Sequence, residues 1–166
     1  MQTKTGPYTL FYNGPFCQWY PSPMVIDQVL YTCAEQYMMA KKAGLFLDFD
    51  SQDKIMATDN PAEQKALGRK VKGFTAATWE AVARDIVLRA NFHKFLSSTV
   101  LFHELMVTHG TILVEASPTD QIWGIGLSED DPEAMDATKW RGRNWLGQVL
   151  TDLRDDLYHS PYYKSK

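Results

Sequence analysis

The chain has 166 residues, of which 45% are apolar, 13% aromatic and 22% charged, the proportions of one globular domain able to bury a core without staples. A net charge of −3 excludes the broad basic surface that strong non-specific duplex binding needs. Two cysteines, Cys17 and Cys33, exclude a disulfide framework, and no apolar run approaches a membrane span.

Met1–Tyr8 lacks the basic-then-apolar pattern of a signal peptide, so the cytoplasm is the expected compartment. Tyr8–Tyr12 predicts a short strand. Met24–Tyr31 predicts a hairpin turning at Asp27-Gln28, although Gln is a poor second turn residue. Thr32 is placed to cap a helix over Cys33–Ala43, with Gly44 as its stop. Asn60-Pro61 opens a helix through Leu67. Thr78 opens a long one with Val82, Ile86, Val87 and Ala90 as its apolar stripe. Ser98–Thr108 predicts a helix closed by Gly110. Thr111–Ala116 and Gln121–Leu127 predict strands. The last helix runs from Asn144 to Tyr158 and aligns Trp145, Leu146, Val149, Leu150, Leu153 and Leu157. The sum is a helix-rich α+β single domain with a small β-sheet or hairpins. It covers residues 1–166, with a core over about 8–158.

Glu35 and Lys42 are seven residues apart on their predicted helix, about 20° short of two full turns. Both therefore leave one face, and the Lys42 stem leans back toward Glu35. A carboxylate and an amine facing one cavity suit acid/base and nucleophilic or electrostatic work. By pattern alone, structure explains them better. Thr32-x-x-Glu35 is a capping box, and Lys42 suits the dipole of a last helical turn. Lys41 lies roughly 120° off that face and is expected in solvent.

A second cluster runs from Glu115 to Gly126. Ser117, Pro118 and Asp120 form a turn at a strand end, where scaffolds display functional groups. Gly124 and Gly126 would let a ligand approach the backbone, and Trp123 could stack a base. A plain Asx turn with a core tryptophan explains the same residues. In Trp140–Gly147, Asn144 is a candidate N-cap. Alternatively, an anion could sit on free helix N–H groups helped by Arg141 and Arg143. The four histidines and two cysteines show no familiar ligand spacing, so no metal is expected.

These segments in order resemble the NADAR family. They are Phe16–Pro23, Tyr31–Ala43, Leu67–Phe74, Trp79, Arg84, Lys94-Phe95, Leu113–Leu127 and Trp140–Gly147, spanning residues 11 to about 157. Each motif is weak alone, but their order and spacing make the set specific. The resemblance implies an N-glycosidase without a cofactor. Its substrate is then ADP-ribose linked to guanine, free or carried on nucleic acid, or a ribosylated riboflavin-pathway intermediate. A non-catalytic ADP-ribose or NAD sensor is the rival. The resemblance reverses the preference on the helix pair. It implies Glu35 for acid/base work, Lys42 as covalent or electrostatic partner, and Asp120 as a third catalytic group. Trp19, Arg69, Ser117, Trp123, Gly124, Gly126 and Asn144 are then the implied substrate contacts. Cys17 stands where serine is common in the family, and Gln36 where histidine is.

Overall fold

The expected helix-rich α+β class is what the chain adopts. Six α-helices and two two-stranded sheets are present among the described residues, 6–161, of the computed structural model. These gather into two units, 18–98 and the combination of 6–17 with 99–161.

The 18–98 unit begins with the hairpin, β1 (Met24–Ile26) and β2 (Val29–Tyr31), paired antiparallel. Asp27 and Gln28 both take positive φ, 51° and 65°. That turn follows the right-handed twist of the strands, so the hairpin forms despite its glutamine. Next comes α1 (Ala34–Leu45), which ends two residues beyond the Ala43 that Gly44 suggested, and then α2 (Phe49–Met56), which the sequence reading left unassigned. α3 (Pro61–Gly68) starts at Asn60, whose side chain accepts from the Ala62 N–H. α4 (Ala76–Leu96) starts at Thr75 rather than Thr78. Its buried stripe is Trp79, Ala83, Val87 and Ala90, leaving Val82 and Ile86 half-buried beside it.

The other unit holds β3 (Tyr8–Phe11) paired in parallel with β4 (Ile112–Glu115), along with α5 (Thr99–Met106) and α6 (Trp145–His159). Two strands alone leave an open edge of unmade hydrogen bonds. Side chains of α6 and its cap close it. The Asn144 Nδ2 donates to the Leu113 carbonyl, and its Oδ1 accepts from the Glu115 N–H, both at 3.0 Å. Thr151 Oγ1 accepts from the Leu113 N–H. Close packing of α6 on β4 demands Gly147, because a Cβ there would lie 2.1 Å from the Leu113 carbonyl oxygen. Val114, Ala116, Ile125, Leu127 and Ala134 form a core cluster of this unit, with Tyr8, Leu10 and Trp140 packed against it.

Gln121–Leu127 is not a strand. Gly126 takes φ +70°, and the segment turns its carbonyls toward the start of α6 instead. Ile122 and Trp123 accept from the Trp145 and Leu146 N–H groups, and Gly124 accepts from that of Asn144. Among the described residues, no helix is long and apolar enough to cross a membrane.

Candidate functional site

α1 carries the central pair. Its N-cap is Cys33, one residue later than expected, with no side-chain capping bond. The residue that reaches back is Gln36, not Glu35. Its Oε1 accepts from the Thr32 N–H at 2.8 Å and from the Thr32 hydroxyl at 3.2 Å. Its Nε2 donates to the carbonyls of Ile55 and Thr58. The capping box therefore accounts for Gln36 and leaves Glu35 unexplained by it. Glu35 is only 5% exposed, and its own N–H donates to the Gln18 carbonyl at 3.0 Å.

Lys42 lies two turns along. Its Nζ stands 4.4 Å from the ring centre of Phe74 and 5.7 Å from that of Trp79. Burial against these rings pushes its pKa below the ordinary lysine value. The Glu35 carboxylate opposes that shift, and the Arg69 guanidinium adds to it. Glu35 and Arg69 are thus both close enough to Lys42 to act on its charge. A lysine with a depressed pKa holds more neutral amine near neutral pH, the form that can attack carbon. Lys41 is half-buried rather than solvated, its ammonium 5.3 Å from the Tyr37 ring centre. Trp19 is 40% exposed, with the Lys65 ammonium 6.0 Å above its ring. Phe74 and Trp79 received no role from the sequence reading. Their only signal was membership of the resembling motifs.

The remaining predicted residues belong to the other unit. Asp120 Oδ1 accepts from the Ile122 and Trp123 N–H groups at 2.9 and 2.8 Å, an Asx turn that shapes its own loop. Ser117 is buried beside Gly124. A Cβ on Gly124 would meet the Ser117 Cβ at 2.9 Å and the Asp120 and Glu115 carbonyls at 3.0 Å. What approaches Gly124 so closely is the chain itself. Trp123 is half-buried, its ring edge-on to Trp145 at 5.6 Å. Asn144 is buried with φ +53° and does not cap α6 through its side chain, because its amide is engaged with β4. Carbonyls of 122 and 123 take the N–H groups of Trp145 and Leu146 at the start of α6, so those two are not open to an anion. Arg141 pairs with Glu133 at 3.6 Å, and Arg143 lies over Trp145.

Cysteine chemistry has little support: burial raises the Cys33 thiol pKa, which disfavours the nucleophilic thiolate. Among the described residues, no group of three or more His, Cys, Asp or Glu is placed to hold a metal ion.

The sequence profile of the NADAR domain matches residues 8–158. The protein irg-1 of Caenorhabditis elegans is 37% identical, over 99% of this chain and 86% of its own length. The N-glycosidase R617 of Acanthamoeba polyphaga mimivirus is 39% identical, over 92% of this chain and 98% of its own length. The fold is similar to the NMR structure of the E. coli protein YbiA, with a TM-score of 0.75 and 25% identity over 94% of this chain and 88% of that one.

Proposed function

Since the chain belongs to the NADAR domain family, we propose that it hydrolyses the N-glycosidic bond joining ADP-ribose to a guanine base. It is a hydrolase of N-glycosyl compounds, as several of its relatives are named. The carrying observation is the pair on α1, a buried Glu35 electrostatically coupled to a desolvated Lys42.

As the base leaves, positive charge develops at the anomeric carbon. A carboxylate beside it stabilises that charge, and in its protonated form supplies the proton the leaving nitrogen needs. The neutral Lys42 amine bonds to the same carbon as the carbon–nitrogen bond to the base breaks, and the nitrogen gives up a proton to the Glu35 carboxylate. The ring carbon–oxygen bond of the ribose then opens, its oxygen taking that proton, to leave an imine between Lys42 and the opened sugar. Water hydrolyses the imine, returning the amine and free ADP-ribose. Arg69 supplies positive charge for the diphosphate, and Trp19 an exposed ring for the adenine. Asp120 and Asn144 support their own loop and strand, so the chemistry is assigned to Glu35 and Lys42.

Incubation with ADP-ribosylated guanosine tests this: free ADP-ribose and guanosine should appear. Tight binding of ADP-ribose with no release from that substrate would mark a sensor instead. Borohydride added during turnover should trap the sugar on Lys42. A trapped adduct elsewhere would displace the lysine from its role.

A further inference from the structure

The first turn of α1 is capped from a distant part of the 18–98 unit. Cys33 makes no side-chain capping bond. The Glu35 N–H, one of the donors a helix start leaves over, is taken by the main-chain carbonyl of Gln18 at 3.0 Å. The Gln18 side chain then reaches between two helices. Its Oε1 accepts from Asn91 Nδ2 at 2.9 Å, and its Nε2 donates to the Met38 Sδ at 3.9 Å, about one turn beyond Glu35. Gln18 thus holds α1 with its main chain and its amide nitrogen, and α4 with its amide oxygen.

Asn91 is wholly buried on α4, and two acceptors fix the orientation of its amide. Nδ2 donates to the Gln18 Oε1 and to the Val87 carbonyl, both at 2.9 Å. Turning the amide over would set oxygen against oxygen. Its Oδ1 is left without a hydrogen-bond partner among the described residues. An unmet buried acceptor costs stability, and an apolar pair at 18 and 91 would fill the same space without that cost. Packing therefore does not explain the asparagine. A second tie lies about one turn further along α4, where the buried Lys94 Nζ stands 5.7 Å from the Tyr20 ring centre.

We propose that Asn91 is a positioning residue for Glu35. It fixes Gln18, Gln18 fixes the first turn of α1, and that turn sets where the Glu35 carboxylate stands against the anomeric carbon. The role in catalysis rests on the N-glycosidase reading. Glu35 is buried, and a side chain in close-packed surroundings cannot swing to correct a shifted backbone. A misplacement of about 1 Å can cost about a hundredfold in rate. Asn91 acts through Glu35 rather than on the substrate, so its loss falls on kcat and spares KM.

The test compares the parent with Asn91→Leu and with the double variant Asn91→Leu/Gln18→Met, which removes both amides together. On ADP-ribosylated guanosine, both variants should lose about tenfold or more in kcat and keep KM within about twofold. The double variant should melt close to the parent temperature, since no amide is stranded. Added to Glu35→Gln, Asn91→Leu should lower kcat no further, because the residue it acts through is already gone. In the nitrogen-15-labelled chain, the Glu35 amide should exchange with solvent about tenfold faster or more in both variants, while α4 amides keep their protection. Parental kcat in the folded double variant, a loss confined to KM, or an equal further loss on Glu35→Gln overturns the proposal. So does an unchanged Glu35 amide. A double variant that does not fold overturns it too, since the amide pair would then serve the fold alone. Faster Glu35 exchange in variants of a parent that releases no ADP-ribose would keep the link from Asn91 to α1 and sink the hydrolase reading.

Discussion

Lys42 carries a charge that its surroundings disfavour. Burial against Phe74 and Trp79 outweighs the attraction of Glu35, so its folded pKa lies below that of the unfolded chain. Between the two values the unfolded state holds more protons, and stability rises with pH through that window. Below it, the buried ammonium works against folding. Lys42→Met should therefore melt at or above the parent temperature at neutral pH while losing about a hundredfold or more in turnover. Differential scanning calorimetry and the release assay on one sample check both halves. If the neutral amine is the acting form, kcat/KM should climb with pH below the ordinary lysine pKa of about 10.4. Lys42→Arg should then remove the climb. A rate that falls over the same range would assign the ammonium an electrostatic role instead. At Asp120, the two Asx-turn bonds need only a carbonyl-type oxygen. Asp120→Asn should melt close to the parent temperature and keep turnover within a few-fold, whereas Asp120→Ala should lower both. A large activity loss in a well-folded Asp120→Asn would restore a catalytic carboxylate.

α6 and its cap act toward β4 as a third strand would. Thr151 and Asn144 satisfy the Leu113 N–H and carbonyl and the Glu115 N–H that a two-stranded sheet leaves over, and the Ile125 N–H takes the Glu115 carbonyl. Thr151→Val keeps the shape but strands the Leu113 N–H, and should cost about 1–3 kcal/mol in chemical denaturation. Asn144→Ala strands two groups and places alanine at φ +53°, so it should cost more, about 2–4 kcal/mol. Asn144→Gly, relieved of the backbone term, should fall between. A near-neutral Asn144→Ala would contradict this account of the sheet edge. Elements with a local cause were legible in the sequence. The hairpin follows from its turn and α3 from Asn60-Pro61. The buried side of α6 follows from its spacing, with Trp145 only half-buried at its start. α2 was not, since only Ile55 among its eight residues is buried and no stripe marks it. Its one local signal, Asp48 three residues before Ser51, is short enough to pass for a turn. Gln121–Leu127 alternates like a strand, but its carbonyls of 121–125 accept from N–H groups of residues 141–146 while the Ile125 and Gly126 N–H groups donate to the Glu115 and Asp120 carbonyls, a pattern periodicity does not reveal.

Across the whole molecule, the candidate site was legible where it obeys helix geometry and illegible where it depends on contact between distant segments. Seven-residue spacing put Glu35 and Lys42 on one face, but only the fold shows Gln36 taking the capping bond and Phe74 and Trp79 enclosing the amine. Likewise, sequence does not show that the chain packs closely against itself at glycines 124 and 126. The central claim is that the buried α1 carboxylate moves protons or steadies charge during N-glycoside cleavage. Glu35→Gln isolates it, since glutamine keeps the size and the capping bond belongs to Gln36. The direct measurement is release of ADP-ribose from ADP-ribosylated guanosine by parent and variant, at matched melting temperature. The account predicts release by the parent and a drop of about a hundredfold or more in the variant. Equal rates for the two, or no release by a folded parent, would contradict it.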